Sequence, residues 1–369
     1  MYLRSLSLIN FKNLKPLELN LSPKINGFVG NNGAGKTNLL DAVYYLSFCK
    51  SYFDPIDSRN INHDEDFFVI QGAFERNDCA ENIYCGIKRN QRKHFKRNRI
   101  EYYKLSDHIG FIPLVMISPY DSNLIIEGSE ERRKFINSVI SQFDKPYLEN
   151  LIKYNRALQQ RNILLRTAKG NMLPDKESVA LWNEQLISFG TPVMEKRRLF
   201  ISRFLPVFSK YYKFISNNHE EVRLTYISQL LDSDFRELLE NSLSKDLALQ
   251  YTTQGIHKDD LDFQLQDHSV KLTGSQGQQK TFLVALKLAQ FDFIKEVNGF
   301  KPILLFDDIF DKLDRNRVKQ IVRLVADNSF GQIFITDTNP LRLNEILSEV
   351  QIDKKTFNVI DGVIEEQGA

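Results

Sequence analysis

The stretch Gly30-Asn31-Asn32-Gly33-Ala34-Gly35-Lys36-Thr37 restricts what this chain can fold into more than any other part of it. Before it, Lys24-Ile25-Asn26-Gly27-Phe28-Val29 reads as a short strand; after it, residues 38–46 carry apolar side chains at helical spacing. A GxxxxGK[ST] loop between strand and helix turns backbone N–H groups inward around phosphate oxygens, at the positive end of the helix. In that reading Gly30, Asn31, Asn32, Gly33, Ala34, Gly35 and Asn38 surround the phosphates, Lys36 reaches the β and γ groups, and Thr37 offers its hydroxyl to Mg²⁺. A nucleoside triphosphate site also needs a carboxylate at the end of a neighbouring strand. Ile303-Leu304-Leu305-Phe306 runs apolar into Asp307-Asp308. Asp307 is the expected second Mg²⁺ ligand, and Asp308 the group that orients or deprotonates the attacking water. Asp314 reads as the N-cap of a helix containing Val318, Ile321, Val322 and Leu324.

Around this core the chain changes texture twice. Residues 3–11 and 17–21 alternate with period two and predict an N-terminal hairpin, and residues 67–117 continue in short strand-like runs. Between residues 130 and 249 long helical patterns take over, notably 147–166 and 180–212, with breaks at Gly170-Asn171 and Asn217-Asn218 and no sustained heptads. Strand-and-helix alternation returns from Tyr251, with Gln332-Ile333-Phe334-Ile335 as a further strand. The expected division is 1–117 and 251–369 as two parts of one α/β domain, interrupted by a helical lobe at 118–250. At 369 residues the chain exceeds what a single core usually supports, and 42% hydrophobic with 26% charged residues excludes disordered and fibrous classes. No stretch is apolar for the length of a membrane span, so a cytoplasmic location is expected. Cys49, Cys79 and Cys85 lack disulfide or zinc spacing, and a net charge of +2 leaves any polyanion contact to local patches.

Gly274-Ser275-Gln276-Gly277-Gln278-Gln279-Lys280 precedes a helix with Phe282, Leu283, Leu286, Leu288 and Phe291. Small residues and a serine at a helix N-terminus again suit close phosphate approach. The motif resembles the signature of ABC-type ATPases in the form typical of the RecF family. Glycine loop, signature about 240 residues later, then Asp307-Asp308 is a more specific order than any one motif. Further segments are similar to that family: Leu8-Ile9-Asn10-Phe11-Lys12-Asn13; Ser118-Pro119-Tyr120-Asp121 through Gly128-Ser129 to Arg132-Arg133-Lys134-Phe135; Tyr154-Asn155-Arg156-Ala157-Leu158 with Gln160-Arg161-Asn162; and Gly255-Ile256-His257-Lys258-Asp259-Asp260-Leu261. Three places depart from it. Lys12 stands where the family usually has Arg, Tyr52-Phe53 replace His-Arg, and Thr336-Asp337-Thr338 lies where transporter ATPases place a switch histidine.

The resemblance implies an α/β, ABC-type P-loop ATPase head of mixed sheets and helices, with an inserted α-helical lobe and no long coiled coil. It implies ATP and Mg²⁺ as cofactors and a head-to-tail homodimer closed around two ATP molecules. Ser275, Gly277 and Gln278 of one copy would face the γ-phosphate held by Lys36 of the other; Lys36, Asp308 and Ser275 would serve a weak, DNA-dependent hydrolysis. It further implies gapped DNA or single-strand/double-strand junctions as the object clamped, and RecO and RecR as partners in loading a recombinase during repair. A P-loop kinase, or an ABC-type ATPase not acting on DNA, is the alternative; a kinase has no use for the segment 275–279.

Lys88, Arg89, Arg92, Lys93, Lys96, Arg97 and Arg99 put seven cations in twelve positions, a density that suits phosphate contact without base readout. The same run also reads as a solvated hairpin whose charges protect an edge. Tyr154, Tyr211 and Tyr212 at helical spacing point to core packing rather than base stacking, and His257 is open to two readings, phosphate contact across the dimer or a structural histidine.

Overall fold

Alternating burial builds the start of the chain: β1 (Tyr2–Ile9) hides Leu3, Leu6 and Leu8 and pairs antiparallel with β2 (Leu17–Asn20). The computed structural model describes residues 1–167, 175–217, 220–310, 315–326, 330–348 and 352–367. The Gly170-Asn171 break, Asn218 and the Asp314 cap lie outside them. After β2 come β3 (Ile25–Val29), α1 (Lys36–Phe48), β4 (Phe67–Arg76), β5 (Cys79–Lys88), β6 (His94–Arg97), β7 (Ile100–Glu101) and β8 (Leu114–Ile117). The middle of the chain forms α2 (Asn123–Ile126), α3 (Ser129–Ile140), α4 (Lys145–Thr167), α5 (Lys176–Ile215), β9 (Val222–Ile227), α6 (Phe235–Asn241), α7 (Leu243–Leu249), β10 (Asp260–Leu265), β11 (His268–Ser269) and α8 (Val270–Thr273). It ends with α9 (Gln276–Asn298), β12 (Ile303–Asp307), α10 (Arg315–Ala326), β13 (Ile333–Asp337), α11 (Pro340–Ser348), β14 (Lys354–Ile360) and β15 (Val363–Glu366).

These elements separate into two units. The first, Met1–Ser122 with Tyr211–His219 and Ser275–Ala369, holds two six-stranded sheets. One is antiparallel, in the order β2-β1-β4-β5-β6-β7. The other runs β15-β14-β3-β13-β12-β8 and is parallel except for β15. Strands β3, β8, β12 and β13 are buried at every residue, which is why β8, β12 and β13 read as largely apolar runs rather than alternating ones. Helix α1 contacts strands of both sheets and is buried almost all round. Phe28 on β3 stacks with Phe334 on β13 and Phe357 on β14, at ring separations of 6.3 and 4.9 Å. The buried Gln332 amide joins the sheets: its Oε1 accepts from Leu3 N at 2.7 Å, and its Nε2 donates to Leu3 O at 2.7 Å and Ser22 O at 2.8 Å.

The second unit, Asn123–Lys210 with Glu220–Gly274, contains the expected helices and also a three-stranded sheet, β11-β10-β9. Pairing of β10 with β9 keeps residues 251–274 in this unit, so its end falls at Gly274 rather than at the expected 250. Its start falls at Asn123, just beyond the expected 118. Two buried ion pairs organise it. Arg161 Nη1 meets Asp246 Oδ2 at 2.7 Å with both side chains fully buried, and Arg197 Nη1 meets Asp259 Oδ2 at 2.5 Å. Asp246 also accepts from Thr253 N and Oγ1, and Arg197 donates to Ile256 O, so both pairs fasten the segment 252–259.

His257 belongs to the same lock. Its Nε2 donates to Thr252 O at 2.9 Å and its Nδ1 accepts from Tyr154 Oη at 2.8 Å, which fits the structural reading of this histidine. Tyr154 and Tyr212 are fully buried and Tyr211 nearly so, as core packing requires. Burial lowers the His257 pKa to about 4. In the first unit His108 is held alike, donating to Leu46 O at 2.7 Å and accepting from Tyr102 Oη at 3.1 Å, with its pKa also lowered to about 4 by burial.

Free histidines take up a proton near pH 6.5, whereas these two stay neutral in the fold down to about pH 4. The unfolded chain therefore binds protons first: full stability holds above pH 6.5 and is lost as pH falls through the window to 4. Each histidine is expected to remove roughly 3 kcal/mol across that window. Urea unfolding at a series of pH values checks this, and His108→Gln or His257→Gln should flatten the profile.

Candidate functional site

The carboxyl ends of β3, β8, β12 and β13 converge on one point in the first unit, the place where open parallel sheets present ligands. The loop leaving β3 bends back on itself with Gly35 at φ 117°, and a Cβ there would lie 2.7 Å from Leu14 Cδ2. Gly30 packs against β14 so closely that a Cβ would sit 2.2 Å from Val359 O. Asn13 buttresses the outside, donating to Gly33 O at 3.0 Å and accepting from Asn38 Nδ2 at 2.7 Å. Inside, the buried Lys36 Nζ donates to Gly30 O at 2.9 Å and Asn31 O at 3.1 Å and lies 3.9 Å from Asp308 Oδ2. A concavity of about 410 Å³ flanks the loop, lined by Gly30, Asn31, Asn32, Gly33, Asn358 and Asp361 among others.

Thr37 and Asp307, 270 positions apart, meet here: Thr37 Oγ1 donates to Asp307 Oδ1 at 2.9 Å. The same oxygen accepts from Thr336 Oγ1 at 3.0 Å, and Oδ2 accepts from Ser118 Oγ at 3.3 Å. Burial raises the Asp307 pKa, while the hydroxyls of Thr37 and Thr336 pull it back. Asp308 has left-handed backbone, φ 45°, and its N–H donates to Thr336 Oγ1 at 2.9 Å, so the two consecutive acids are aimed differently. One hydroxyl and one carboxylate oxygen at hydrogen-bond separation suit Mg²⁺, which takes few protein oxygens and completes its octahedron with water and phosphate. Among the described residues no group of three or more His, Cys, Asp and Glu stands ready to hold a metal by itself. Sequence reading noted Thr336 only within a segment lacking a switch histidine and missed its role: it is buried and turned onto both acids. The available signal was its place at the polar end of a strand otherwise as apolar as β12.

Ser275 caps α9 in a reciprocal box, its Oγ accepting from Gln278 N at 3.3 Å and its N–H donating to Gln278 Oε1 at 2.8 Å. The serine is exposed, and Arg317 of α10 donates to Gly277 O at 2.5 Å, fixing the first turn. The departures also acquire partners. Lys12 Nζ pairs with the buried Asp41 at 2.6 Å, and Asp41 also accepts from Ser51 Oγ and Tyr52 N. Tyr52 Oη donates to Asp121, which pairs with Lys287 of α9 at 2.7 Å.

The basic run divides. Arg89 donates to Glu65 O at 3.2 Å, Lys93 meets Asp57 and Cys49 O each at 2.7 Å, and Arg97 grips Glu81 through Nε and Nη2 at 2.9 and 2.6 Å. Lys88, Arg92 and Arg99 are exposed, and Lys96 is half-buried beside Tyr84.

Residues 2–359 match the family described as RecF/RecN/SMC N terminal domain. The chain is 54% identical over its whole length to the DNA replication and repair protein RecF of Bacteroides thetaiotaomicron, covering 100% of both. It is 51% identical to the protein of that name in Flavobacterium johnsoniae, over 97% of this chain and 100% of the relative. Among solved structures, the recombination mediator protein RecF-ATP in the RecFOR pathway gives a TM-score of 0.90 at 30% identity, covering 100% of this chain and 98% of that one. An Smc head domain from Pyrococcus furiosus gives 0.58 at 16% identity over 99% and 96%, a likeness of fold alone.

Thr336→Val removes one hydroxyl that serves both acids at once. ATP turnover is expected to fall roughly 10- to 100-fold with nucleotide affinity retained, measurable by phosphate release alongside a fluorescent-nucleotide titration; an unchanged rate means the acids keep their positions without it.

Proposed function

The chain belongs to the RecF family, and on that premise we propose that it is an ATP-dependent DNA-binding clamp acting at gaps and single-strand/double-strand junctions and promoting recombinase loading in recombinational repair. The observation that carries this reading is the meeting of Thr37, Asp307, Thr336 and Asp308 beneath a phosphate loop, in a chain that superposes on an ATP-bound RecF. Backbone N–H groups of the loop and of the α1 N-terminus hold the phosphates, and Lys36 neutralises the β and γ oxygens. Thr37 Oγ1 and Asp307 hold Mg²⁺, which when bound offsets charge developing on those oxygens. Asp308, whose backbone is anchored by Thr336, orients the attacking water and takes its proton.

Ser275 supports the second half of the proposal. Ser275 Oγ only accepts in the capping box, so its exposed hydroxyl has a proton to offer, at the helix start it shares with Gly277 and Gln278, to a γ-phosphate held by another copy, which makes the homodimer the closed form. ATP that binds the dimer more tightly than the monomer drives closure by that difference, and slow, DNA-dependent hydrolysis reopens it. DNA is held through exposed cations of the basic run, Lys88, Arg92, Lys96 and Arg99, with Arg89, Lys93 and Arg97 shaping the hairpin that carries them. RecO and RecR are the proposed partners, by analogy with a relative placed in the RecFOR pathway. No described helix is long and apolar enough to cross a membrane, in keeping with the cytoplasmic location proposed.

Three substitutions separate the roles. Lys36→Met is expected to abolish tight ATP binding; Ser275→Arg to leave ATP binding by the monomer but block dimerisation; Asp308→Asn to bind ATP and accumulate as dimer with little turnover. Light scattering with nucleotide titration reads all three, and a Ser275→Arg dimer of normal affinity rules out contact across the interface. Anisotropy on a gapped duplex at fixed salt should show tighter binding with ATP and Mg²⁺ than with ADP or no nucleotide; binding indifferent to nucleotide overturns the clamp.

A further inference from the structure

We propose that the solvent face of the antiparallel sheet is a site for single-stranded nucleic acid, with Tyr84 stacking on a base while Lys96 and Arg99 hold the flanking phosphates. This rests on the DNA reading above and deepens it by naming the face and the residues that would take the single-stranded part of such a junction. The face carries a concavity of about 650 Å³ whose lining includes Gln71, Asn82, Tyr84, Lys96, Asn98 and Arg99. Gln71 on β4, Tyr84 on β5 and Lys96 on β6 are directly opposite one another in the register, so their side chains share one face. Their sequence neighbours Ile70, Ile83, Cys85 and Phe95 point the other way into the core.

Two details indicate that this face is built for a ligand. Tyr84 lies along the sheet: a Cβ at Gly86 would come 2.5 Å from its hydroxyl, so the glycine is what lets the ring lie flat, with Lys96 Nζ 5.6 Å from its centroid. Arg99 occupies the second position of the two-residue turn between β6 and β7, at φ 71° after Asn98 at φ 49°. Such turns favour glycine there, because every larger residue meets steric resistance at positive φ. The exposed Arg99 side chain lines the concavity, so what it brings to this face is its charge. Asn98 fixes the turn by accepting from Asn82 N at 2.8 Å and donating to Glu81 at 2.7 Å.

The charge distribution agrees. Arg89, Lys93 and Arg97 pair with Asp66, Asp57 and Glu81, whereas among the described residues neither Lys96 nor Arg99 makes a salt bridge. An aromatic ring sharing one concavity with two such cations and with the Gln71 and Asn82 amides suits an unstacked base and the phosphates around it. In a duplex the bases are stacked on one another and do not reach the ring, so the face discriminates by strandedness and tolerates any sequence.

The test is fluorescence anisotropy with a labelled oligo(dT) and, in parallel, a blunt duplex and a gapped duplex, at fixed salt with ATP and Mg²⁺. Tyr84→Ala is expected to weaken oligo(dT) binding roughly 10-fold or more and to leave the blunt duplex unchanged. Arg99→Gly should weaken oligo(dT) binding, reduce the salt dependence by about one phosphate contact, and raise the thermal midpoint because glycine fits the turn. A purely structural arginine would lower that midpoint instead. Unchanged oligo(dT) affinity in both variants, or equal losses on oligo and blunt duplex, overturns the stacking site. If those variants still bind the gapped duplex as wild type does, only this site is lost; a wild-type chain that binds none of the three DNAs overturns the DNA reading itself.

Discussion

One buried carboxylate sets the geometry of the first unit. Asp307 ends β12 and receives hydroxyls from Thr37 at the start of α1, Thr336 at the end of β13 and Ser118 after β8. A charge this deep is costly unless its lone pairs are met, and the three donors come from three different elements. Movement of any one leaves Asp307 under-satisfied, so the strand ends and the helix start are held to a common position before any ligand arrives. That is the preorganisation phosphoryl chemistry needs, where positioning and electrostatics supply nearly all the rate.

What was legible in the sequence was local. The loop from Gly30 to Thr37, the apolar run into Asp307 and the Ser275 cap each announce themselves within a dozen residues, and all three took the predicted conformation. What was not legible depended on distant pairing. The alternation of residues 222–227 and 260–265 is strand-like, but only their mutual pairing makes a sheet and draws residues 251–274 into the inserted unit. Thr336 looked like the absence of a histidine; its role follows from β13 lying beside β12, which no local pattern states. The basic run looked uniform because charge alone was visible, whereas Glu81 and Asp57, which claim Arg97 and Lys93, lie on other elements.

The inserted unit solves a different problem. Its two buried arginine–aspartate pairs are not an efficient source of stability, since desolvation of both ions cancels much of their attraction. Their common feature is the segment they hold. Thr252, Thr253, Ile256, His257 and Asp259 are each fastened by a buried or half-buried side chain, and Gly255 adopts φ 125° where a Cβ would strike Tyr154. Lys258 alone stands exposed in the middle of this locked backbone, 4.9 Å from the centre of the Tyr251 ring. A fixed backbone for residues 252–259 is thus what the buried polar network achieves, at the expense of the apolar core it displaces.

The parallel sheet places β3 between β13 and β14, and Gly362 N donates to Ala34 O. The phosphate loop is therefore made about 300 residues before the strands on either side of it. At the usual pace of translation it waits on the order of tens of seconds for them. A chain ending before β12 carries the loop sequence but neither wall of the cradle nor Asp307, and so lacks both the strands that hold the loop in shape and the carboxylate beside Thr37. The cradle is assembled only once β12, β13 and β14 have been made, so the order of synthesis delays the site well beyond the appearance of its most recognisable motif.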